Sequence, residues 1–304
     1  MKTWVPAYYT KFQCIADRCR HNCCIGWEID IDEESYARYR EVSGPFGKRL
    51  REGIDDSAEP PCFRLGAGER CAFLNDQGLC DIITALGEDA LCEICALHPR
   101  YRNFFGDRVE MGLGLCCEEA CRLILNENDP VSLTVLEDDG EEDLPLEEES
   151  DFYAVRDRIL SILQNRELTY DERAAGLVAF CGLHSDTRTP SQWAEIYRSL
   201  ERLDHAWDAC LDRLDACRTW AGRDERDTVW EQLAVYFILR YAGASLDDGL
   251  LAPRVAYALH AVSVIRTLGQ GMDVEALCEL CRMYSCEIEY SEENIETLME
   301  RMTV

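Results

Sequence analysis

The sequence predicts a mainly α protein in which a cysteine-rich, loop-rich metal-binding module is followed by an α-helical bundle. Three observations predict it. Twelve of the 18 cysteines fall within the first 121 residues. Residues 137–151 gather ten acids around one Gly and one Pro, the composition of a solvated spacer. Beyond that run, apolar residues recur every three to four positions, the period of an amphipathic helix. The expected organisation is a cysteine-rich module over 1–128, an acidic linker over 129–150 and a helical domain over 151–304. With 304 residues, 47% of them hydrophobic, the chain can bury a sizeable core.

In the helical half, Phe152, Val155, Ile159 and Leu163 mark one apolar face, and Trp193, Ile196, Leu200, Leu203, Trp207, Leu211 and Leu214 mark further faces. Thr169 with Glu172, and Thr228 with Glu231, have the spacing of capping boxes. Pro253 suits a first helical turn, and Gly182, Gly243 and Gly269 suit helix stops. Five to seven helices are expected over 151–302, with no alternating strand pattern. Upstream, 32–42 reads as a helix, 44–53 as a turn region and 59–68 as a loop, all short and broken by Gly and Pro. A segment with so little continuous apolar sequence is commonly held together by bound metal.

The formal charge of −28, from 59 acids against 31 bases, argues against binding nucleic acid phosphates or an anionic membrane surface. No run of eighteen apolar residues is present, and the first residues lack the apolar core of a secretory signal, so the expected compartment is the cytoplasm. Reducing surroundings keep thiols open, which favours metal or iron-sulfur ligation over disulfides.

The opening thiols Cys14, Cys19, Cys23 and Cys24 lie within eleven residues and are followed by Gly26, Trp27, Glu28 and Asp30. Further thiols come in CAFLNDQGLC (Cys71, Cys80), in LCEICALHPR (Cys92, Cys95, with His98 and Arg100) and in LCCEEAC (Cys116, Cys117, Cys121). Thiolates are the soft donors that zinc and iron-sulfur clusters take, and a tight loop lets several converge without a preformed core. The spacing leaves a [4Fe-4S] cluster and four-cysteine zinc sites both open. Cys181, Cys210 and Cys217 read as core residues on helical faces. Cys278, Cys281 and Cys286 make a C-x2-C-x4-C pattern open to zinc, although helical spacing explains Cys278 and Cys281 without metal.

The order FQCIADRCRHNCCIGWEIDID, CAFLNDQGLC and CEICALHPRYRNFFGDRVEMGLGLCCEEACRLIL resembles the flagellin lysine-N-methylase (FliB) family, whose cysteine-rich half is similar to YkgJ-type zinc- or iron-chelating proteins. The resemblance continues through WEQLAVYFILRYAGASLDDGLLAPRVAYALHAVSVIRTL and the closing CRMYSCEIEYSEENIETLME. It implies methyl transfer from S-adenosylmethionine to lysine side chains of flagellin, with an iron-sulfur cluster in the machinery. It also implies that Cys14, Cys19, Cys23, Cys24, Cys71, Cys80, Cys95 and Cys117 are the family's cysteines, whereas Cys92, Cys116 and Cys121 stand where the family pattern has other residues.

A lysine nucleophile must lose its proton, with an unperturbed pKa of about 10.4, before attacking a methyl carbon, and desolvation or a neighbouring base or phenol promotes that loss. No glycine-rich nucleotide loop follows a strand, so a doubly wound methyltransferase domain is not expected. The candidate catalytic residues are Tyr236, Arg240, Tyr241 and Asp30. Candidate cofactor contacts are Trp27, Arg100 and Arg254, with Tyr8, Tyr9, Glu28, His98 and Asp248 as further polar candidates. A metal-chelating or metal-delivery protein without transferase activity is the alternative reading of the same thiols.

Overall fold

A computed structural model describes residues 1–140, 143–184 and 186–302, and it is mainly α with one small mixed sheet. After strand β1 (Lys2–Pro6) the chain forms α1 (Glu33–Glu41), α2 (Gly44–Glu52), the two-residue strands β2 (Ile54–Asp55) and β3 (Cys62–Phe63), α3 (Asp81–Leu86) and α4 (Glu93–Leu97). Then come β4 (Arg100–Phe104), β5 (Arg108–Leu113), α5 (Glu118–Leu125) and β6 (Leu133–Asp138). The helices α6 (Glu147–Leu163), α7 (Tyr170–Phe180), α8 (Pro190–Arg198), α9 (Trp207–Ala216) and α10 (Asp227–Tyr241) follow. The last are α11 (Ser245–Asp248), α12 (Leu251–Leu268), α13 (Val274–Tyr284), which runs into a π turn at Ser285–Glu289, and α14 (Glu292–Met302).

Two compact units result, Gln13–Arg100 and Met1–Phe12 with Tyr101–Val304, a division that differs from the expected boundaries at 128 and 150. Backbone pairing explains the difference. β1 runs parallel to β5 and antiparallel to β6, giving the order β4-β5-β1-β6, so the first strand is drawn into the later unit. β6 occupies part of the expected acidic linker. Five of its six residues are exposed, so no buried face announces it in sequence, and its ladder and charges place it at the sheet edge. Glu141 and Glu142, from the same acid run, lie outside the described residues. The run's C-terminal acids start α6 instead of a loop, where carboxylates favour the helix N-terminus.

Other expectations divide in the same physical way. The helix over 32–42 forms as α1, with the Asp32 carboxylate accepting from Ser35 N at 2.8 Å as its cap. The turn region over 44–53 is instead α2. Pro45 sits in the first turn, which tolerates it, and Gly47 lets the helix approach the preceding chain so closely that a Cβ there would fall 1.8 Å from Val42 O. Thr169 and Glu172 make the expected reciprocal cap of α7. Thr228 and Glu231 do not, because α10 begins at Asp227 and Glu231 turns inward to Arg166 and Arg173. Nine α-helices, more than the five to seven expected, are described beyond residue 146.

The helical unit packs Trp193, Trp207, Trp230, Tyr197, Phe237, Tyr257 and their neighbours into a continuous core that also takes Cys210, Cys278 and Cys281. Burial of this kind contributes about 25 cal/mol per Å² of apolar surface. The Gln13–Arg100 unit has only a small core, built on Ile29, Ile31, Tyr39, Leu50, Phe63, Phe73 and Ile82. Among the described residues, no helix is long and apolar enough to cross a membrane.

Two consequences are measurable. Glu110 of β5 and Arg156 of α6 form a buried bidentate pair at 2.6 and 2.8 Å. Glu110→Ala strands that guanidinium and should lower stability by about 3–5 kcal/mol in urea unfolding; an unchanged midpoint would contradict the assignment. His260 packs against Trp193, Tyr197 and Trp220, its Nε2 buried without a partner, and burial pulls its pKa down to about 3, with Asp186 opposing and Arg188 assisting. Its folded value lies below the unfolded one, so stability is full above about pH 6.5 and is lost as pH falls toward 3. His260→Phe should flatten this acid limb, whose slope is at most about 1.4 kcal/mol per pH unit.

Candidate functional site

Six thiols form one group in Gln13–Arg100. The backbone sets it up: Cys71 N donates to Cys24 O at 2.8 Å, and isolated bridges join Ile25 to Arg70 and Leu74 to Cys80. Cys23 and Cys24 share a side-chain hydrogen bond, and so do Cys92 and Cys95. Cys24 lies within electrostatic reach of Cys71 and Cys80, and Cys95 within reach of Cys24 and Cys71. Cys80 and Cys92 stand at the N-caps of α3 and α4.

These contacts divide the thiols electrically. The Cys24 hydrogen bond pulls Cys23 down to about 7, and the Cys95 hydrogen bond lowers Cys92. Their partners Cys24 and Cys95 are pushed up, first by donating that bond and then by burial. Burial pushes Cys71 up to about 11 and also raises Cys80. Each thiolate formed makes the next harder to form, a repulsion that a bound cation relieves. Among the described residues no three His, Cys, Asp or Glu side chains converge as a group that could hold a metal ion. The fit to a soft metal is therefore one of donor chemistry alone: six thiols in a small-cored unit.

Five of the eight family-type cysteines, Cys23, Cys24, Cys71, Cys80 and Cys95, belong to this group, and the structure adds Cys92. Cys14 is exposed and accepts from Ala16 N at 3.4 Å, while the Cys19 thiol donates to His21 O at 3.1 Å. Cys117 is in the other unit, capping α5 and packed on the helical core. Trp27 donates its indole N–H to Cys23 O at 2.7 Å, with its ring 6.3 Å from that of His98. Burial, then Arg100, pulls His98 down to about 4, the neutral form. Arg100 reaches Ala96 O at 3.4 Å. Asp30 is exposed beside Cys62, in a different unit from the other three catalytic candidates.

Those three, Tyr236, Arg240 and Tyr241, come together in the helical unit around a residue that the sequence reading did not single out, Glu289. The Tyr236 and Tyr241 hydroxyls donate to Glu289 Oε2 at 2.8 and 2.7 Å, and Arg240 Nε lies 3.1 Å from the same oxygen. Arg240 Nη1 also donates to the Tyr236 hydroxyl at 2.9 Å, and Leu115 N donates to it at 3.3 Å. The guanidinium lies 5.1 Å from the Tyr101 ring centroid, a cation–π contact. Tyr101 can lie there because β5 has Gly112 beneath it, where a Cβ would fall 2.3 Å from the phenol.

Burial pushes both tyrosines well up and keeps them neutral donors. Burial opposes the charge of Arg240, but Tyr236, Glu289 and Tyr241 together hold it protonated. Glu289 sits at the end of the π turn, a local irregularity often found at functional sites. Next to it, Tyr290 is 48% exposed. The signal available in sequence was SCEIEY, acids alternating with an apolar residue within a helical region.

Arg254 is committed elsewhere, forked onto Asp248 at 2.8 and 2.7 Å and reaching Leu250 O at 3.2 Å. The pair lowers the Asp248 pKa and closes the turn before α12. Tyr8 and Tyr9 are core residues of the same unit.

Two proteins named Lysine-N-methylase, from Salmonella typhimurium (strain LT2) and Salmonella choleraesuis (strain SC-B67), are each 29% identical to this chain over 138 residues, 42% of this chain and 34% of theirs. The Flagellar biosynthetic protein FliU of Salmonella muenchen is 28% identical over 137 residues, 42% of this chain and 79% of its own. The chain spans about a third of the length of the two methylases. No family model and no solved structure matches it. The similarity supports the resemblance to the flagellin lysine-N-methylase family.

Proposed function

We propose that this chain is a protein-lysine N-methyltransferase that moves a methyl group from S-adenosylmethionine to lysine side chains of flagellin in the cytoplasm. The observation that carries the reading is the similarity to two proteins named Lysine-N-methylase. In the reaction the amine lone pair attacks the methyl carbon, the carbon–sulfur bond of the sulfonium breaks, and S-adenosylhomocysteine leaves with that electron pair. The amine gives up one proton.

Tyr236, Arg240, Tyr241 and Glu289 suit such chemistry, because a buried carboxylate fixed by two phenols and a guanidinium places charge without rearrangement. A [4Fe-4S] cluster, with zinc as the alternative, would take thiolates from among Cys23, Cys24, Cys71, Cys80, Cys92 and Cys95. When bound, the metal supplies positive charge that neutralises these sulfurs. The same six thiols are what favours the second reading, a metal-chelating or metal-delivery protein.

Anaerobically purified protein separates the two when incubated with flagellin and methyl-labelled S-adenosylmethionine, with iron, sulfide and zinc assayed on the same sample. The methyltransferase reading expects about four irons and four sulfides per chain, saturable donor binding and label on flagellin lysines. Exchangeable zinc with neither donor binding nor label would overturn it in favour of chelation.

A further inference from the structure

Glu289 differs from the other buried glutamates of its unit. Both carboxylate oxygens of Glu110 are taken by Arg156, and those of Glu119 by Arg122. Glu149 accepts from Gly106 N and Leu146 N, one on each oxygen. Arg166 and Arg173 cover Glu231, while Arg202 and the Leu203 and Asp204 amides cover Glu287. On Glu289 all three donors converge on Oε2, and Oε1 is buried with no hydrogen-bond partner. The side chain has 0% exposure. A buried carboxylate oxygen without a donor is costly, more so than a neutral acceptor.

The neighbourhood fits one class of donor. Four residues earlier on the same turn, Ser285 Oγ is also buried without a partner. The rings of Tyr101, Tyr236 and Tyr241 surround Arg240, and the Tyr241 ring meets Tyr257 edge-on at 5.5 Å. Arg240 already balances the charge on Oε2 at 3.1 Å, and the free oxygen calls for a further, compact donor. An ammonium is such a donor, with a point charge, three N–H groups and affinity for phenol faces.

We infer that Glu289, through Oε1, is the binding residue for a primary ammonium group in this aromatic cluster, with Ser285 Oγ as a second acceptor. This deepens the methyltransferase reading and rests on it for the choice of ligand. Two primary ammonium groups belong to that reaction, the lysine side chain of the protein substrate and the α-amino group of the methionine moiety of the donor.

Glu289→Gln keeps the shape and an acceptor for the two phenols while replacing the anionic oxygen with an amide. In the holoprotein, three quantities are compared with the parent: donor Kd, KM for a lysine peptide, and ligand-observed NMR binding of n-butylammonium against n-butanol. A rise of tenfold or more in peptide KM with donor Kd unchanged assigns the site to the lysine; the same rise in donor Kd assigns it to the methionine moiety. If both stay within twofold of the parent in a folded variant, the inference is overturned. Should the variant fail to fold, the parent decides alone: butylammonium binding that butanol lacks, displaced by lysine peptide or by donor, supports the site, and equal binding of the two probes refutes it. Butylammonium binding by a parent without transferase activity would retain the ammonium site and sink the methyltransferase reading, whereas activity indifferent to Glu289→Gln would do the reverse.

Discussion

The uneven supply of apolar surface along this chain is the constraint on which the rest depends. Beyond residue 146, long amphipathic helices bury tryptophans and tyrosines in one continuous core. Gln13–Arg100 has short helices, two-residue strands and a small apolar cluster. Its thiols make up part of the shortfall. Cys71 and Cys92 are themselves core residues, and with Cys23, Cys24, Cys80 and Cys95 they draw three separate loops to one place. Thiols that raise and lower one another's proton affinity are a poor end state for a small domain and a good beginning for a metal site.

In the helical unit the same economy takes an ionic form. Buried acids are held by arginines and by amides, and a buried carboxylate is costly unless both of its oxygens accept hydrogen bonds. Completion is the rule at Glu110, Glu119, Glu149, Glu231 and Glu287. The departure at Glu289 coincides with the π turn and with the tyrosine and arginine side chains of α10. Local irregularity, an incomplete hydrogen-bond shell and an aromatic lining at one spot are features that regular packing does not require.

Much of this was legible in sequence, and what was not has physical causes. The helical period, the Asp32 and Thr169 caps and the i, i+4 and i+5 placement of Tyr236, Arg240 and Tyr241 are local properties, and the helices express them directly. β6 is invisible because it is held by its ladder and not by a buried face. α2 is disguised by Gly and Pro that serve close packing and a first turn. Glu231 looks like a cap by spacing, and only the arrival of Arg166 from the turn after α6 and of Arg173 from α7 turns it inward. Glu289 and Cys92 acquire their meaning from residues far away in the chain, which spacing alone does not encode.

Dependence of Gln13–Arg100 on its thiols is the central claim, and hydrogen–deuterium exchange tests it most directly. Protein reconstituted anaerobically with iron and sulfide, or with zinc, is compared with the same protein treated with chelator under reducing conditions. Amide protection should collapse on metal removal across Gln13–Arg100, above all in the loops bearing Cys23, Cys71 and Cys92, while α10 and α12 keep theirs. Unchanged protection across Gln13–Arg100 after the metal is gone would contradict it.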